Sequence, residues 1–372
     1  MHPADRLSGV ELSLIRQINA LATPLSLNLG IGEPNVEPDA RLREMAARAA
    51  TASWHYSANA GALSLRKKLC AALPFDPKSE VCVTAGTQEG LFAIFTAFVN
   101  PGDEVLVPNP GFLSYATLAK ICGASPVTYD LDPPDWQIDV DTLRRKITPK
   151  TKLIIINSPS NPLGAVIARE TLAAIAALGP LVVSDEIYRE IWYDARPPSM
   201  LEVSTNENVI VLNGLSKSHA MTGLRLGWIF ARESVMKPIV TAHQYVATCA
   251  SVFAQALAEM ILDDPDWNAS WLTSVRAQFS AQREAALYAI QHELEADIAP
   301  PAGAFYAFAP VPSCDTISFA KTLATDAAVL VIPGLAFGTR GQGFIRISYA
   351  APVEQITAGI ERIGQYLRSS GL

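Results

Sequence analysis

Between residues 80 and 231 the chain alternates short, continuously apolar runs with longer stretches of mixed polarity. The apolar runs are VCVT, EVLVP, PVTYDL, KLIIIN, LVVSDE, VIVLNG and RLGWIF. Such β-rich runs, without polar alternation, predict strands covered on both faces, and helical stretches between several of them predict a mostly parallel sheet. Ligands of such sheets bind beyond the carboxyl ends of the strands, so the residues just after each run are the ones to read for chemistry. Outside this region the pattern changes. LSGVELSLIRQINAL predicts a short helix and ARLREMAARAA an amphipathic one, while ASVFAQALAEMIL and the stretch from 267 to 296 predict two more, the second bridging domains. From about residue 297, AFYAFAP, AVLVIPG and GFIRISY read as strands, and FAKTLATD and VEQITAGIERIGQYL as helices. The expected division is a small α+β domain built from 1–40 and 286–372, and a large α/β domain over 41–285.

A chain of 372 residues exceeds one comfortable core, which agrees with two domains or with one large α/β domain carrying an appendage. Apolar residues make up 49% and charged residues 17%, so a large core is available. A net charge of −7 argues against nucleic acid or an anionic membrane as the main partner. The five cysteines, Cys70, Cys82, Cys122, Cys249 and Cys314, are scattered and show no CxxC spacing. They are expected to be reduced core residues, and no metal site is expected. The first residues carry acids where a signal peptide needs an apolar core, and no run is long enough to span a bilayer. A cytoplasmic protein is the expectation.

Candidate chemistry lies after the strands. Following VCVT, Gly86, Thr87 and Gln88 open a helix whose free amides and dipole suit a phosphate; Thr87 is equally a helix cap. Following EVLVP, Phe112 either lies on a ligand ring or fills core. Asn161, in SPSNPLG after KLIIIN, is an Asx turn or a donor to a ligand oxygen. Asp185 ends LVVSD, with Tyr188 three residues on; a carboxylate at the end of an apolar strand calls for a cation. VIVLNG runs into Ser216 and Lys217. A lysine there is either a solvated surface residue or, if its amine loses the proton, the anchor for an aldehyde through an imine. Upstream, GIGEPN is a linker or a turn with accessible amides, and Tyr56 sits in a small-residue loop before a helix.

Together GIGEPN, the Tyr56 loop, TAGTQEGL, PGDEVLVPNPGFLSY, NSPSNPLG, SDEIY, LSKSHAMTGLRLGW, PPAGAFYAF, VLVIPGLAFG and FIRISYA resemble, in order, the fold type I pyridoxal phosphate enzymes, and among them the class I/II aminotransferases. The resemblance covers about residues 28 to 350. It implies a pyridoxal 5′-phosphate cofactor and transfer of an amino group from an L-amino acid to a 2-oxo acid in a ping-pong cycle. Lys217 would be the anchor and proton carrier, Asp185 the partner of the pyridine nitrogen, and Asn161 and Tyr188 donors to the ring's phenolic oxygen. Gly86, Thr87, Gln88 and Arg225 would hold the phosphate, and Phe112 would stack on the ring. Arg346 would pair with the substrate α-carboxylate, with Gly32 adding a backbone amide and Asn161 lining the same site. Tyr56 would reach the phosphate of a second subunit, which implies a homodimer.

The chain also departs from the family. Many relatives carry a phosphate-binding serine three residues before the lysine, where this chain has Gly214, and Gly111 precedes Phe112 where relatives often have a larger residue. No second arginine is assignable to a side-chain carboxylate; Arg16 or a partner-subunit residue is the alternative source of such a charge. His219 and His243 read as structural residues or proton shuttles, and His55 as a neighbour of the site. Trp54, Trp192 and Trp228 read as core or interface. A β-lyase or decarboxylase of the same fold, and a cofactor-binding regulator without catalysis, are the competing functions.

Overall fold

The computed structural model describes residues 4–204, 206–313 and 315–370, so the expected core thiol Cys314 lies outside the described residues. At the amino-terminal end, helix α1 (Leu14–Asn19) and the short strand β1 (Leu27–Asn28) lead through the GIGEPN loop to α2 (Ala40–Ala49) and α3 (Leu63–Leu69). The alternation then follows in full: β2 (Val81–Thr84), α4 (Thr87–Phe98), β3 (Glu104–Asn109), α5 (Ser114–Ile121), β4 (Ser125–Asp130), α6 (Val140–Arg145), β5 (Thr151–Asn157), α7 (Arg169–Ala176), β6 (Leu181–Asp185), α8 (Met200–Val203), β7 (Val209–Gly214) and β8 (Gly227–Ala231). Helices α9 (Glu233–Ala247), α10 (Val252–Asp263) and α11 (Pro265–Glu293) come next. The chain closes with β9 (Tyr306–Pro310), α12 (Thr316–Asp326), β10 (Val329–Leu330), β11 (Ile332–Pro333), β12 (Phe344–Ser348) and α13 (Val353–Ser370).

Seven strands form one sheet in the order β2-β8-β7-β6-β5-β3-β4, parallel except for β8, which runs against both its neighbours. The sequence explains why it is covered on both sides. In β5, Leu153 and Ile155 belong to one apolar cluster, while Ile154 and Ile156 belong to the other. Each buried side chain of this kind stabilises the fold by about 1.5–3 kcal/mol, so a strand apolar at every position has no stable place at the surface.

The remaining strands are small. A three-stranded antiparallel sheet, β11-β12-β9, carries FIRIS, and β1 pairs in parallel with β10. That pairing brings residues 27–28 beside residues 329–330. The long helix α11 starts at Pro265, with the Asp264 side chain capping the Trp267 amide, the combination expected where a rigid helix begins after a turn.

Candidate active site

Parallel strands that end together bring distant residues side by side. Asn157, last in β5, is in register with Asp185, last in β6. Asp185 is buried; its Oδ2 accepts from the Tyr115 hydroxyl at 2.8 Å and its Oδ1 from the Ile187 amide at 3.3 Å. Burial pushes its carboxyl pKa up, and those two hydrogen bonds and Lys217 pull against the shift. It takes part in no salt bridge among the described residues. The neighbouring Glu186 faces elsewhere, accepting from Ser184 Oγ and the Met200 amide.

Lys217 follows β7, and its Nζ donates to the Gly32 carbonyl at 2.7 Å. Burial lowers its pKa from 10.5 to about 8; the positive charges of Arg346 and Arg225 act in the same direction, against Glu33 and Asp185. The amine is therefore neutral far more readily than a surface lysine, as an amine that condenses with an aldehyde must be.

The turn from β2 into α4 has an open backbone. Gly86 sits at φ 83°, and a Cβ there would lie 2.5 Å from Arg225 Nη2, so the guanidinium occupies the space a side chain would fill. Arg225 is itself left-handed, at φ 53°, and its Nη1 donates to the Thr222 carbonyl at 2.8 Å. At the end of β7 a Cβ on Gly214 would stand 2.7 Å from the Leu226 carbonyl oxygen. The departure at Gly214 is thus a packing requirement of this chain, and the buried Ser216 supplies a hydroxyl on the cleft wall two residues later.

Arg346 projects from β12 and is 1% exposed. Its Nη1 donates to Asn161 Oδ1 at 2.9 Å and its Nη2 to the Gly30 carbonyl at 2.5 Å, while its guanidinium lies over Tyr306 and Phe337, 4.5 and 5.0 Å from the ring centres. Its buried Nε has no partner, and no carboxylate pairs with it among the described residues. A buried cation without an anion is costly, so the site is built to receive one.

One cleft of about 660 Å³ has Gly32, Thr87, Gln88, Phe112, Asn161, Asp185, Tyr188, Lys217, Arg225 and Arg346 on its wall, while Gly86 does not itself line it and stands one residue before Thr87. Phe112 stands edge-on to Tyr115, ring centres 5.6 Å apart. Tyr188 shares a hydrogen bond with the Tyr306 hydroxyl at 2.9 Å, and burial raises the pKa of both phenols, keeping them protonated. Tyr56 and His55 do not line it; Tyr56 is 84% exposed. Trp54, expected in core or interface, is no part of this chain's core, because its ring projects from the loop after α2 at 81% exposure. Cys70 and Cys82 are buried as expected, whereas Cys122 and Cys249 are only half-buried and so are surface-edge residues. His219 is a structural residue, stacked on Trp271 and bonded to Ser218 Oγ and Asn268 Oδ1. His243 pairs with Glu89 at 3.0 Å, away from the cleft. Among the described residues no group of three His, Cys, Asp or Glu could hold a metal ion, and no helix is long and apolar enough to cross a membrane.

Sequence reasoning missed Tyr115, Tyr306 and Asn157, all cleft residues. Asn157 was findable as the polar end of KLIIIN, and Tyr115 by its place three residues after Phe112. Tyr306 lay hidden inside an apolar strand. The set fits a phosphorylated aldehyde with a ring nitrogen: a readily neutral amine, a buried carboxylate without a cation, and a glycine turn under an arginine.

A family model described as aminotransferase class I and II matches residues 26–363. The chain is 34% identical to aromatic-amino-acid aminotransferase 2 of Thermococcus litoralis, covering 99% of each. It is 33% identical to an aspartate aminotransferase of Pyrococcus abyssi over the whole of both. Among solved structures, aspartate aminotransferase from Thermus thermophilus with maleate superposes with a TM-score of 0.92 at 30% identity, covering 98% of this chain and 99% of that one.

Proposed function

This chain belongs to the class I and II aminotransferase family, whose members depend on pyridoxal phosphate, and on that premise we propose how its own residues carry out amino transfer between an L-amino acid and a 2-oxo acid. The observation that carries the reading is Lys217, with its pKa near 8, sharing a cleft with the buried Asp185 and the anion-free Arg346.

Bound pyridoxal phosphate would supply an aldehyde that condenses with amines and a protonated ring that accepts electron density from the substrate Cα. Lys217 would hold the cofactor's aldehyde through its readily neutral Nζ, and the same Nζ, when free, would carry the proton of the substrate Cα. Asp185 would pair with the ring nitrogen and favour its protonated form, and the Tyr115 hydroxyl fixes the carboxylate's direction. Asn161 and Tyr188 would donate to the ring oxygen. Asn161 has this capacity because its Oδ1 is taken by Arg346, which leaves its amide nitrogen to donate. The Gly86, Thr87 and Gln88 turn and Arg225 would hold the phosphate, and Phe112 would cover the ring. Arg346 binds the α-carboxylate, with the Gly32 amide beside it.

The same reading assigns a homodimer, with Tyr56 completing the partner's phosphate site. Its support is the exposure of Trp54, Tyr56 and Tyr245, at 81%, 84% and 83%. It also assigns 1–40 and 286–372 to a small domain and 41–285 to a large one, the second boundary falling inside α11. A cytoplasmic location is supported by the free Cys70, Cys82, Cys122 and Cys249.

The test is a half-reaction screen. The cofactor-loaded protein, mixed with each amino acid in turn, is expected to convert its imine chromophore to the amine form and release the matching 2-oxo acid. Release of ammonia and pyruvate from cystathionine without that conversion would replace transfer by β-elimination.

A further inference from the structure

Glu89 is an acid beside the turn assigned to the phosphate. It lies in the first turn of α4, directly after Thr87 and Gln88, both on the cleft wall. A carboxylate there competes with a bound anion for the positive end of the helix, so its presence calls for a compensating role. Its contacts supply one. Oε2 accepts from the Ala85 amide at 3.1 Å, and Oε1 meets His243 Nδ1 at 3.0 Å. Neither Glu89 nor His243 lines the cleft, so neither is placed to touch a ligand in it.

His243 comes from α9, which packs along α4. Its ring is fully buried, its Nε2 has no partner, and Glu89 is its one polar contact among the described residues. A carboxylate at Nδ1 draws the ring proton to that nitrogen, so the imidazole donates and holds the carboxylate in place. The backbone of the turn is satisfied from within. The Gly86 amide donates to the Thr84 carbonyl at 2.8 Å, and the Gly86 carbonyl accepts from Thr84 Oγ1 at 3.1 Å and from the Gly90 amide at 3.2 Å. With the Ala85 amide on Glu89, the amides that remain for a ligand at the cleft wall are those of Thr87 and Gln88, which as first and second residues of a helix have no intrahelical acceptor.

We propose that Glu89, held by His243, is a positioning residue of the phosphate site: it keeps the Ala85 amide engaged and fixes the Gly86 turn, at φ 83°, so that the Thr87 and Gln88 amides are the ones offered to the anion. The two effects of the carboxylate have opposite signs. Repulsion of a phosphate would make its removal tighten binding, whereas loss of the turn's geometry would weaken it. A hydrogen bond to an ionised acceptor outweighs the placement of one charge in the first turn of a helix, so the weakening wins. The inference rests on the reading that assigns the cofactor phosphate to this turn.

The test titrates the full chain, freed of cofactor, with pyridoxal phosphate and with pyridoxal, following imine absorbance in wild type, Glu89→Ala, Glu89→Gln and His243→Leu. Glu89→Ala is expected to bind pyridoxal phosphate about tenfold more weakly, the equivalent of one charge-assisted hydrogen bond, with pyridoxal unchanged. His243→Leu should show a smaller loss of the same phosphate-selective kind. Glu89→Gln, whose side-chain oxygen can still accept from Ala85, should recover part of the affinity. An equal loss for pyridoxal makes the pair merely structural, and unchanged or tighter binding of pyridoxal phosphate by Glu89→Ala leaves repulsion as the larger effect; each overturns the proposal. Where Glu89→Ala is too unstable to titrate, Glu89→Gln decides: a phosphate-selective loss of about threefold supports the proposal, and none overturns it. If wild type bound neither aldehyde, the cofactor reading would fail, and inorganic phosphate, titrated by phosphorus NMR line broadening, would still decide the role of Glu89: weaker retention by Glu89→Ala supports it and equal retention overturns it.

Discussion

Arg346 Nη1 donates to Asn161 Oδ1 at 2.9 Å across 185 residues of sequence, tying the loop after β5 to the middle strand of the small sheet. The bond gives each residue a defined task. Asn161 is oriented with its amide nitrogen free to donate, and Arg346 keeps its Nε for an incoming anion.

Arg346→Lys removes the fork but keeps the charge. One ammonium cannot serve Asn161, the Gly30 carbonyl and a carboxylate in the same plane. We expect kcat/KM to fall by about two to three orders of magnitude for every amino acid, whatever its side chain, because the α-carboxylate is common to all. Cofactor uptake, followed by absorbance, should change little. A loss confined to acidic substrates would assign Arg346 to the side chain instead.

Tyr115→Phe removes one of the two hydrogen bonds that hold the buried Asp185 as an anion. Its carboxyl pKa, already pushed up by burial, should rise further, weakening its hold on a protonated ring. The expected result is a fall in kcat of about tenfold with KM nearly constant, and a shift of the cofactor's absorbance pH profile. Asp185→Asn should cost more, on the order of 10² in kcat.

How much of this was legible from sequence follows from these residues. Lys217, Asp185 and Asn161 stand just beyond apolar runs, so period and strand-end reasoning place them at one sheet edge. The antiparallel sense of β8 has no signal in RLGWIF, since an all-apolar strand reads alike in both directions. Tyr306 was invisible for a related reason: every other residue of β9 through Ala309 is also buried, so one phenol among them looks like core.

Gly86 and Gly214 should fail differently when given side chains. Gly86→Ala places a methyl against the Arg225 guanidinium at a positive φ, so weaker cofactor binding, at least about tenfold in Kd, is expected with a modest loss of stability. At Gly214 the obstacle is backbone, the Leu226 carbonyl oxygen. Gly214→Ser should therefore lower the melting temperature and bring no gain in cofactor affinity. Tighter cofactor binding by Gly214→Ser would show that strand β7 yields and that the missing hydroxyl mattered.

His219 links stability to mild acid. Burial lowers its pKa from 6.5 to about 4, so between those values the unfolded chain binds the extra proton and the folded one does not. Stability is accordingly complete above pH 6.5 and declines as the pH falls toward 4, by at most about 3 kcal/mol from this group. Urea unfolding from pH 4 to 7 should show the slope in wild type and a flatter one in His219→Gln, which is less stable at pH 7 for lack of the ring stack on Trp271. An equal slope in both would move the effect to the carboxylates.

If Tyr56 serves the partner's phosphate, two inactive variants should rescue one another. In a mixed dimer of Tyr56→Ala and Lys217→Ala, the site on the Tyr56→Ala chain keeps its own Lys217 and takes Tyr56 from the other chain, so it is complete. The second site lacks both residues and stays dead. Co-refolding equal amounts should thus restore about one quarter of wild-type activity, since half of the dimers are mixed and each carries one working site. Were Tyr56 to act within its own chain, every mixed dimer would hold only incomplete sites, and activity would stay at the level of the separate variants. The high exposure of Tyr56, away from its own cleft, favours the first outcome.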